Sequence, residues 1–225
     1  MRHIIKRMPE KIKVAFIKTD VLKQSQVDSY ASADILIILT KDASFVSIKD
    51  ELSGKSERLL TLGRLTKDVK GLCFVGLKTD NYGCEHKSVA VFYKGRLIRL
   101  ADQSKSGDKS FSPSCGYKTV SYSGFKIGVA VGKDLIDADC LNCFSLCDCD
   151  VIINLSGDFY DFSTENLVSA LSYLYGVTVV SVSADKSAAA TCGKTVFSTF
   201  ISNMEKDIAI KKTYRVVTVK KRGNT

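Results

Sequence analysis

Short apolar segments rich in β-branched residues recur along the whole chain, with polar stretches between them. Segments of this length and composition predict β-strands. Lys94-Gly95-Arg96, between two such segments, predicts a β-hairpin. The predicted strands are 13–18, 34–39, 71–77, 88–93, 97–100, 125–131, 151–155, 177–182, 195–200, 207–210 and 214–219.

Fewer segments predict helices. They are 57–69, the cysteine-rich segment 135–147 and the segment 164–175, with Ser163-Thr164 as its N-cap and Gly176 at its end. Several neighbouring strands have no helix between them, although parallel neighbours need a crossover connection. We therefore expect an α/β fold in which mixed sheets carry helices on their outer faces. No internal repeat and no Pro- or Ser-rich linker divides the sequence, so 1–225 is expected to form a single domain.

Composition and charge narrow the function classes. The 225 residues are 45% hydrophobic and 25% charged, as in an ordinary globular protein. The net charge of +9 lies entirely in two basic tails, +4 in 1–13 and +5 in 204–225. A nucleic-acid binder concentrates base on one face of its fold, so nucleic acid is not an expected partner. The charged start and the absence of a long apolar run predict a cytoplasmic protein without a membrane segment.

Four of the eight cysteines crowd into 140–149. Their spacing fits neither paired zinc knuckles nor a ferredoxin pattern, so we expect no metal and no cofactor. Cys140, Cys143 and Cys147 fall on one face of the predicted helix, where thiols pack well against apolar neighbours. The sequence therefore predicts three buried, slowly reacting thiols.

The stretch from Gly124 to Ser156 resembles the nitrilase, or carbon–nitrogen hydrolase, superfamily. Ile127-Gly128-Val129 matches a strand of the type IGVxIC, Lys133-Asp134 matches the YD that follows it, and Asp150 opens the next strand without a gap. Segment 33–37 resembles the ADLVVFPE strand, and 166–184 a later helix–strand unit. Over about 12–200, the resemblance implies a four-layer α-β-β-α sandwich of two mixed sheets.

The resemblance also implies amide or nitrile hydrolysis by a Glu-Lys-Cys triad. The matching positions carry Thr40, Gln103 and Gly132. Asp42 and Lys105 lie two residues beyond the first two, and such a shift keeps the same face of a strand. The cysteine position allows no shift, because the match around Gly132 is ungapped. Lys133 and Asp134 are its neighbours and further site candidates.

A serine nucleophile has little support in the sequence. Ser123 and Ser156 flank the predicted strands, but neither has a histidine nearby along the chain. Of the two histidines, His3 lies in the tail and His86 in a predicted loop. A Ser-His arrangement is therefore not expected.

Three interpretations remain open from the sequence. The chain is a nitrilase-like protein that has lost hydrolysis and binds an unidentified small molecule or protein, or an active amidase or nitrilase with displaced residues. Otherwise the likeness is accidental and the basic tails serve an acidic partner. The resemblance also predicts a homodimer, to which segment 214–220 would contribute an arm.

Overall fold

The computed structural model describes residues 11–40, 45–104, 112–114, 116–156, 164–183, 186–200 and 204–210. The predicted strand 214–219 and the site candidates Asp42 and Lys105 lie outside these ranges. In the described part, no helix is long and apolar enough to cross a membrane.

Two mixed β-sheets form the centre of the molecule. The first has the strand order β13-β1-β2-β4-β5-β6, with β3 beside the end of β4. Its strands β1, β2 and β4 are parallel to one another, and β5, β6 and β13 are antiparallel to their neighbours. The strands are β1 (Lys11–Thr19), β2 (Ile35–Thr40), β3 (Phe45–Ser47), β4 (Leu72–Asn81), β5 (Cys84–Tyr93), β6 (Arg96–Asp102) and β13 (Met204–Ala209).

The second sheet has the order β12-β11-β10-β9-β8-β7. Here β8, β9 and β10 are parallel, and the remaining strands are antiparallel to their neighbours. The strands are β7 (Lys118–Tyr122), β8 (Phe125–Val131), β9 (Val151–Ser156), β10 (Thr178–Ser183), β11 (Lys186–Thr191) and β12 (Lys194–Phe200).

The sheets pack face to face around one apolar core, since alternate residues of each strand point toward the other sheet. The rings of Phe16 and Phe197 meet edge to face across the two sheets, with centroids 5.5 Å apart. Other members of this core are Val14, Ile37, Phe74, Val91, Ile127, Ile153 and Val180.

Helices cover both outer faces, which completes the predicted four-layer α-β-β-α sandwich. The outer face of the first sheet carries α1 (Gln24–Asp28), α2 (Ile48–Leu52) and α3 (Arg58–Thr66). The outer face of the second carries α4 (Ala138–Leu146) and α5 (Thr164–Tyr175), on one side as expected. The predicted fold class is confirmed.

The two sheets repeat one connection pattern, which the sequence did not reveal. Strands β1, β2, β4, β5 and β6 follow one another as β8, β9, β10, β11 and β12 do, with helices at the same crossovers. Asp34 and Asp150 occupy equivalent places. The carboxylate of Asp34 accepts a hydrogen bond from Lys13 N at 3.0 Å, and that of Asp150 accepts one from Lys126 N at 2.9 Å. The two sheets therefore share a connection pattern although the sequence shows no internal repeat.

The predicted tails are shorter than expected at both ends. Lys11–Lys13 belong to β1, and Met204–Ala209 form β13, which pairs with β1 in antiparallel fashion. Lys13 Nζ lies 3.0 Å from Glu205 Oε1, so one charge from each predicted tail is used in this pairing.

Candidate functional site

The candidate site lies at the elbow where β8 ends and a single 3-10 turn, Gly132–Ile136, begins. Gly132 is buried and has φ +55°, in the left-handed region that favours glycine. After this turn the chain enters α4, whose N-cap is Asp137. The predicted strand–turn–helix arrangement is present.

Gln103 packs directly against this elbow. A Cβ atom at position 132 would overlap Oε1 of Gln103 and would lie 3.3 Å from its Cδ. The Gln103 side chain is only 5% exposed, and its backbone is held on both sides. Its N–H donates to the carbonyl of Lys87 at 2.8 Å, and its carbonyl accepts from Ser114 N at 2.9 Å.

Asp134 ties the Gln103 segment to the elbow. Its carboxylate is buried, with Oδ1 accepting from Ser104 N at 2.9 Å and Oδ2 accepting from Val131 N at 3.3 Å. Both bonds are to backbone N–H groups, one on either side of the Gln103–Gly132 contact. Asp134 therefore positions the ends of β6 and β8 relative to each other. Lys133, the residue before it, is half-buried.

Thr40 lies on the other face of the first sheet. Along β2, Ile37 and Leu39 point to the second sheet, whereas Leu36 and Ile38 belong to the outer cluster under the helices. Thr40 follows this outer face, and its hydroxyl donates to the carbonyl of Asp20 at 3.1 Å. It lines an open groove of about 540 Å³ together with Val21, Leu22, Val46, Leu62 and Leu65.

The structure thus brings together two of the three positions matched to the triad. Gln103 and Gly132 are in contact between the two sheets, and Thr40 faces the helices. On the inner face of the first sheet, Leu39 of β2 lies 3.1 Å from the position that a Cβ atom on Gly76 of β4 would take. Leu155 of the second sheet lies 3.8 Å from the same position. The described inner surface at this level is therefore apolar.

A buried polar network, missed by the sequence analysis, joins the ends of β4, β5 and β6. Thr79 Oγ1 and Ser88 Oγ are 2.7 Å apart, and Ser88 Oγ donates to Asp102 Oδ1 at 2.6 Å. His86 lies in β5 and not in a loop, and its Nδ1 contacts the carbonyl of Ser112 at 2.8 Å. The network fixes the strand that leads into Gln103. Thr79 and Ser88 are diagonal neighbours across the β4–β5 hairpin, and the signal available in the sequence was the Tyr82-Gly83 turn that sets this register.

The cysteines of α4 differ from one another in exposure. Cys140 is fully buried, whereas Cys143 and Cys147 are partly exposed, so the prediction of three buried thiols is right only for Cys140. Cys147 escapes burial because it is the C-cap, where the chain leaves the sheet-facing side of the helix. Cys149, beyond the helix, is buried instead. Among the described residues, no three His, Cys, Asp or Glu side chains are arranged to hold a metal.

Comparisons with known proteins establish the fold class. The sequence matches no family model and no curated protein. Solved structures with the same fold belong to the nitrilase, or carbon–nitrogen hydrolase, superfamily. This chain shares that fold, and its 11–14% identity to the structures described next shows the fold alone.

Three solved structures illustrate the likeness. An amidase from Nesterenkonia sp. is 11% identical with a TM-score of 0.70, and the match covers 93% of each chain. Saccharomyces cerevisiae Nit3, a member of branch 10 of the superfamily, is 13% identical with a TM-score of 0.70, over 89% of this chain and 90% of that one. The glutamine-dependent NAD+ synthetase of Acinetobacter baumannii is 14% identical with a TM-score of 0.69. That match covers 93% of this chain and 49% of the longer protein.

Proposed function

We propose that this chain is a nitrilase-fold pseudoenzyme, which binds a small molecule or a protein without hydrolysing carbon–nitrogen bonds. The observation that carries the proposal is the contact between Gly132 and Gln103. The position of the expected nucleophile has no side chain, and a neutral carboxamide occupies the adjacent space.

The chemistry of the site supports this proposal. A covalent acyl-enzyme needs a nucleophilic side chain activated by a base, and glycine offers none. An oxyanion also needs a cation or preorganised donors, and the side chain at the matched lysine position is uncharged Gln103. A carboxamide both donates and accepts hydrogen bonds, which suits recognition of a polar ligand.

The alternative is a hydrolase acting on non-peptide carbon–nitrogen bonds through displaced residues. Asp42 as base and Lys105 as cation, with water or a serine as nucleophile, would form such a set. Both residues lie outside the described part of the chain, so this alternative is decided by activity measurements.

The experiment is an assay of the full chain with a panel of simple amides and nitriles. We expect no turnover by the wild type, and none by Gly132→Cys, because the new side chain meets Gln103 and has no base. Adding Gln103→Lys and Thr40→Glu is also expected to fail, since Thr40 faces away from the elbow. Turnover by the wild type that Asp42→Ala or Lys105→Ala abolishes would contradict the proposal.

Binding is measured separately with the same compounds. A compound that binds the folded state raises Tm in a saturable way, by mass action. We expect at least one carboxamide to do so without being consumed, and Gln103→Ala to remove the shift. A panel without any saturable shift would contradict recognition of a carboxamide by this site.

We also propose a homodimer through the helical layer of the second sheet. Large apolar side chains are exposed there, namely Ile136 (55%), Leu146 (85%), Tyr173 (74%) and Leu174 (71%). Light scattering at micromolar concentration should give twice the monomer mass, and Leu146→Lys/Leu174→Lys should halve it. Leu52→Lys is the matched control, because Leu52 is 77% exposed on the opposite helical layer. A monomeric wild type would reject the dimer.

A further inference from the structure

The cysteine pair Cys143 and Cys147 has no part in the proposed function. We infer that these two thiols form a binding site for one soft, monovalent, thiophilic cation, of which Cu(I) is the biological representative. Thiolate sulfur is the ligand type that selects Cu(I) over harder ions.

The helix places the two thiols side by side. Cys143 and Cys147 are four residues apart, which puts their Cβ atoms on one face at a distance of about 5–6 Å. Cys147 N–H donates to the carbonyl of Cys143 at 2.9 Å, so the backbone between them is in the last helical turn.

The end of the helix holds this geometry in place. Asp148 has φ +55° and its N–H donates to the carbonyl of Ser145 at 3.0 Å, while Cys149 N–H donates to the carbonyl of Phe144 at 3.0 Å. These two bonds close the helix as a Schellman motif does, with an Asp in the left-handed position. The backbone that carries Cys143 and Cys147 is therefore fixed by the helix end.

Accessibility separates this pair from the other two thiols of the segment. Cys143 and Cys147 are partly exposed, whereas Cys140 and Cys149 are buried at 0% and 5%. A cation can therefore reach two sulfurs from solvent. Two ligands suit Cu(I), which is stable in linear coordination, and do not make a four-ligand zinc site.

Binding replaces protons by the cation and involves no redox step. On binding, two S–Cu bonds form and two S–H bonds break. The two protons pass to water, and neither sulfur nor copper changes its oxidation state.

The experiment titrates the full, reduced chain with the Cu(I)–bicinchoninate complex under anaerobic conditions. We expect the wild type to withdraw one Cu(I) per chain and Cys143→Ser/Cys147→Ser to withdraw none. Cys84→Ser/Cys192→Ser is the matched control and should keep the wild-type stoichiometry, because these cysteines lie in other parts of the fold.

A measurement on the wild type makes the test independent of how the variants fold. X-ray absorption of the copper-loaded chain should show a first shell of sulfur alone. Three results would overturn the inference: no withdrawal by the wild type, nitrogen or oxygen ligands in the first shell, or full withdrawal by a folded Cys143→Ser/Cys147→Ser chain. None of them bears on the amide and nitrile assays, so the two proposals fail separately.

Discussion

Gln103 packs against Gly132 at the end of β8, in the space that a side chain at position 132 would need. The left-handed backbone at Gly132 disfavours a side chain, and Gln103 fills the place where one would stand. Asp134 keeps both segments in this arrangement through its two backbone hydrogen bonds. Local packing thus accommodates a glycine at this elbow.

Replacing Gly132 by Ala is expected to lower the free energy of unfolding by roughly 2–5 kcal/mol. Left-handed backbone costs an L-residue about 1–2 kcal/mol, and overpacking against Gln103 adds about 1–3 kcal/mol. Gly54→Ala is the matched control, because Gly54 has φ +72° but nothing within 4 Å of its Cβ position. It should cost about 1–2 kcal/mol.

Urea unfolding of both variants, and of Gly132→Ala in a Gln103→Ala background, measures the two contributions. In that background the cost of Gly132→Ala should fall to that of Gly54→Ala, because the clash is gone. Equal costs for Gly132→Ala and Gly54→Ala in the wild-type background would show that Gln103 does not occupy this space.

At the scale of strands, Asp34 and Asp150 do the same work in the two sheets. Each exchanges two hydrogen bonds with a residue near the start of the neighbouring strand, through its N–H and its carboxylate. Asp34 also forms an ion pair with Lys70, in which Nζ lies 2.9 Å from Asp34 Oδ1, but the Lys70 side chain is 63% exposed. An exposed ion pair of this kind adds little to stability.

We therefore expect Asp34→Ala and Asp150→Ala to have similar effects. Each should lower the free energy of unfolding by about 1–3 kcal/mol, the usual range for a hydrogen bond to a charged group. Asp68→Ala removes an exposed carboxylate near Lys67 and should leave stability unchanged. Urea midpoints measure all three variants, and a loss confined to Asp34→Ala would contradict the structural equivalence.

The sequence predicted those elements whose pattern is strong over a whole strand or helix. The hairpin at Lys94-Gly95 was predicted. The same pattern of one residue followed by glycine occurs at Tyr82-Gly83, Ser123-Gly124 and Cys192-Gly193, and both residues of each pair have positive φ values. The turns at Ser123-Gly124 and Cys192-Gly193 would have predicted the hairpins that contain β7 and β11. The sequence KSAAAT of β11 has little strand propensity, and its pairing with β10 and β12 decides its conformation.

The same limit applies to the candidate site. Gly132 was located from an ungapped local resemblance to a known family, which a sequence displays directly. The contact with Gln103 joins two different sheets, and the bond from Ser104 N to Asp134 spans 30 positions of the chain. Contacts of this kind depend on how the sheets pack, and local patterns carry no information about packing.

At the scale of the whole molecule, buried thiols make the free energy of unfolding depend on pH in the alkaline range. Burial raises the pKa of Cys73 and of Cys149 to about 12, and it raises the pKa of Cys140 as well. The unfolded chain releases these protons near pH 9, whereas the folded chain keeps them. Folding is therefore favoured fully below pH 9, and this contribution is lost as pH rises toward 12.

We expect the free energy of unfolding to fall between pH 8 and pH 10.5, by at most about 1.4 kcal/mol per pH unit for each buried thiol. Cys73→Ala should reduce this slope, because one of the buried thiols is gone. Cys84→Ala is the control at an exposed position and should keep the wild-type slope. Urea unfolding at several pH values measures the slopes, and an unchanged slope in Cys73→Ala would contradict this account.

The pairing of β13 with β1 also has a consequence for synthesis on the ribosome. β1 is followed along the chain by its parallel neighbour β2, but its other neighbour, β13, is encoded only after residue 203. Until then β1 presents an open edge, the kind of surface that recruits other nascent chains. Lys11 and Lys13 on this strand place positive charges at that edge while it waits. The time between the synthesis of β1 and the synthesis of β13 therefore sets how long this edge is exposed.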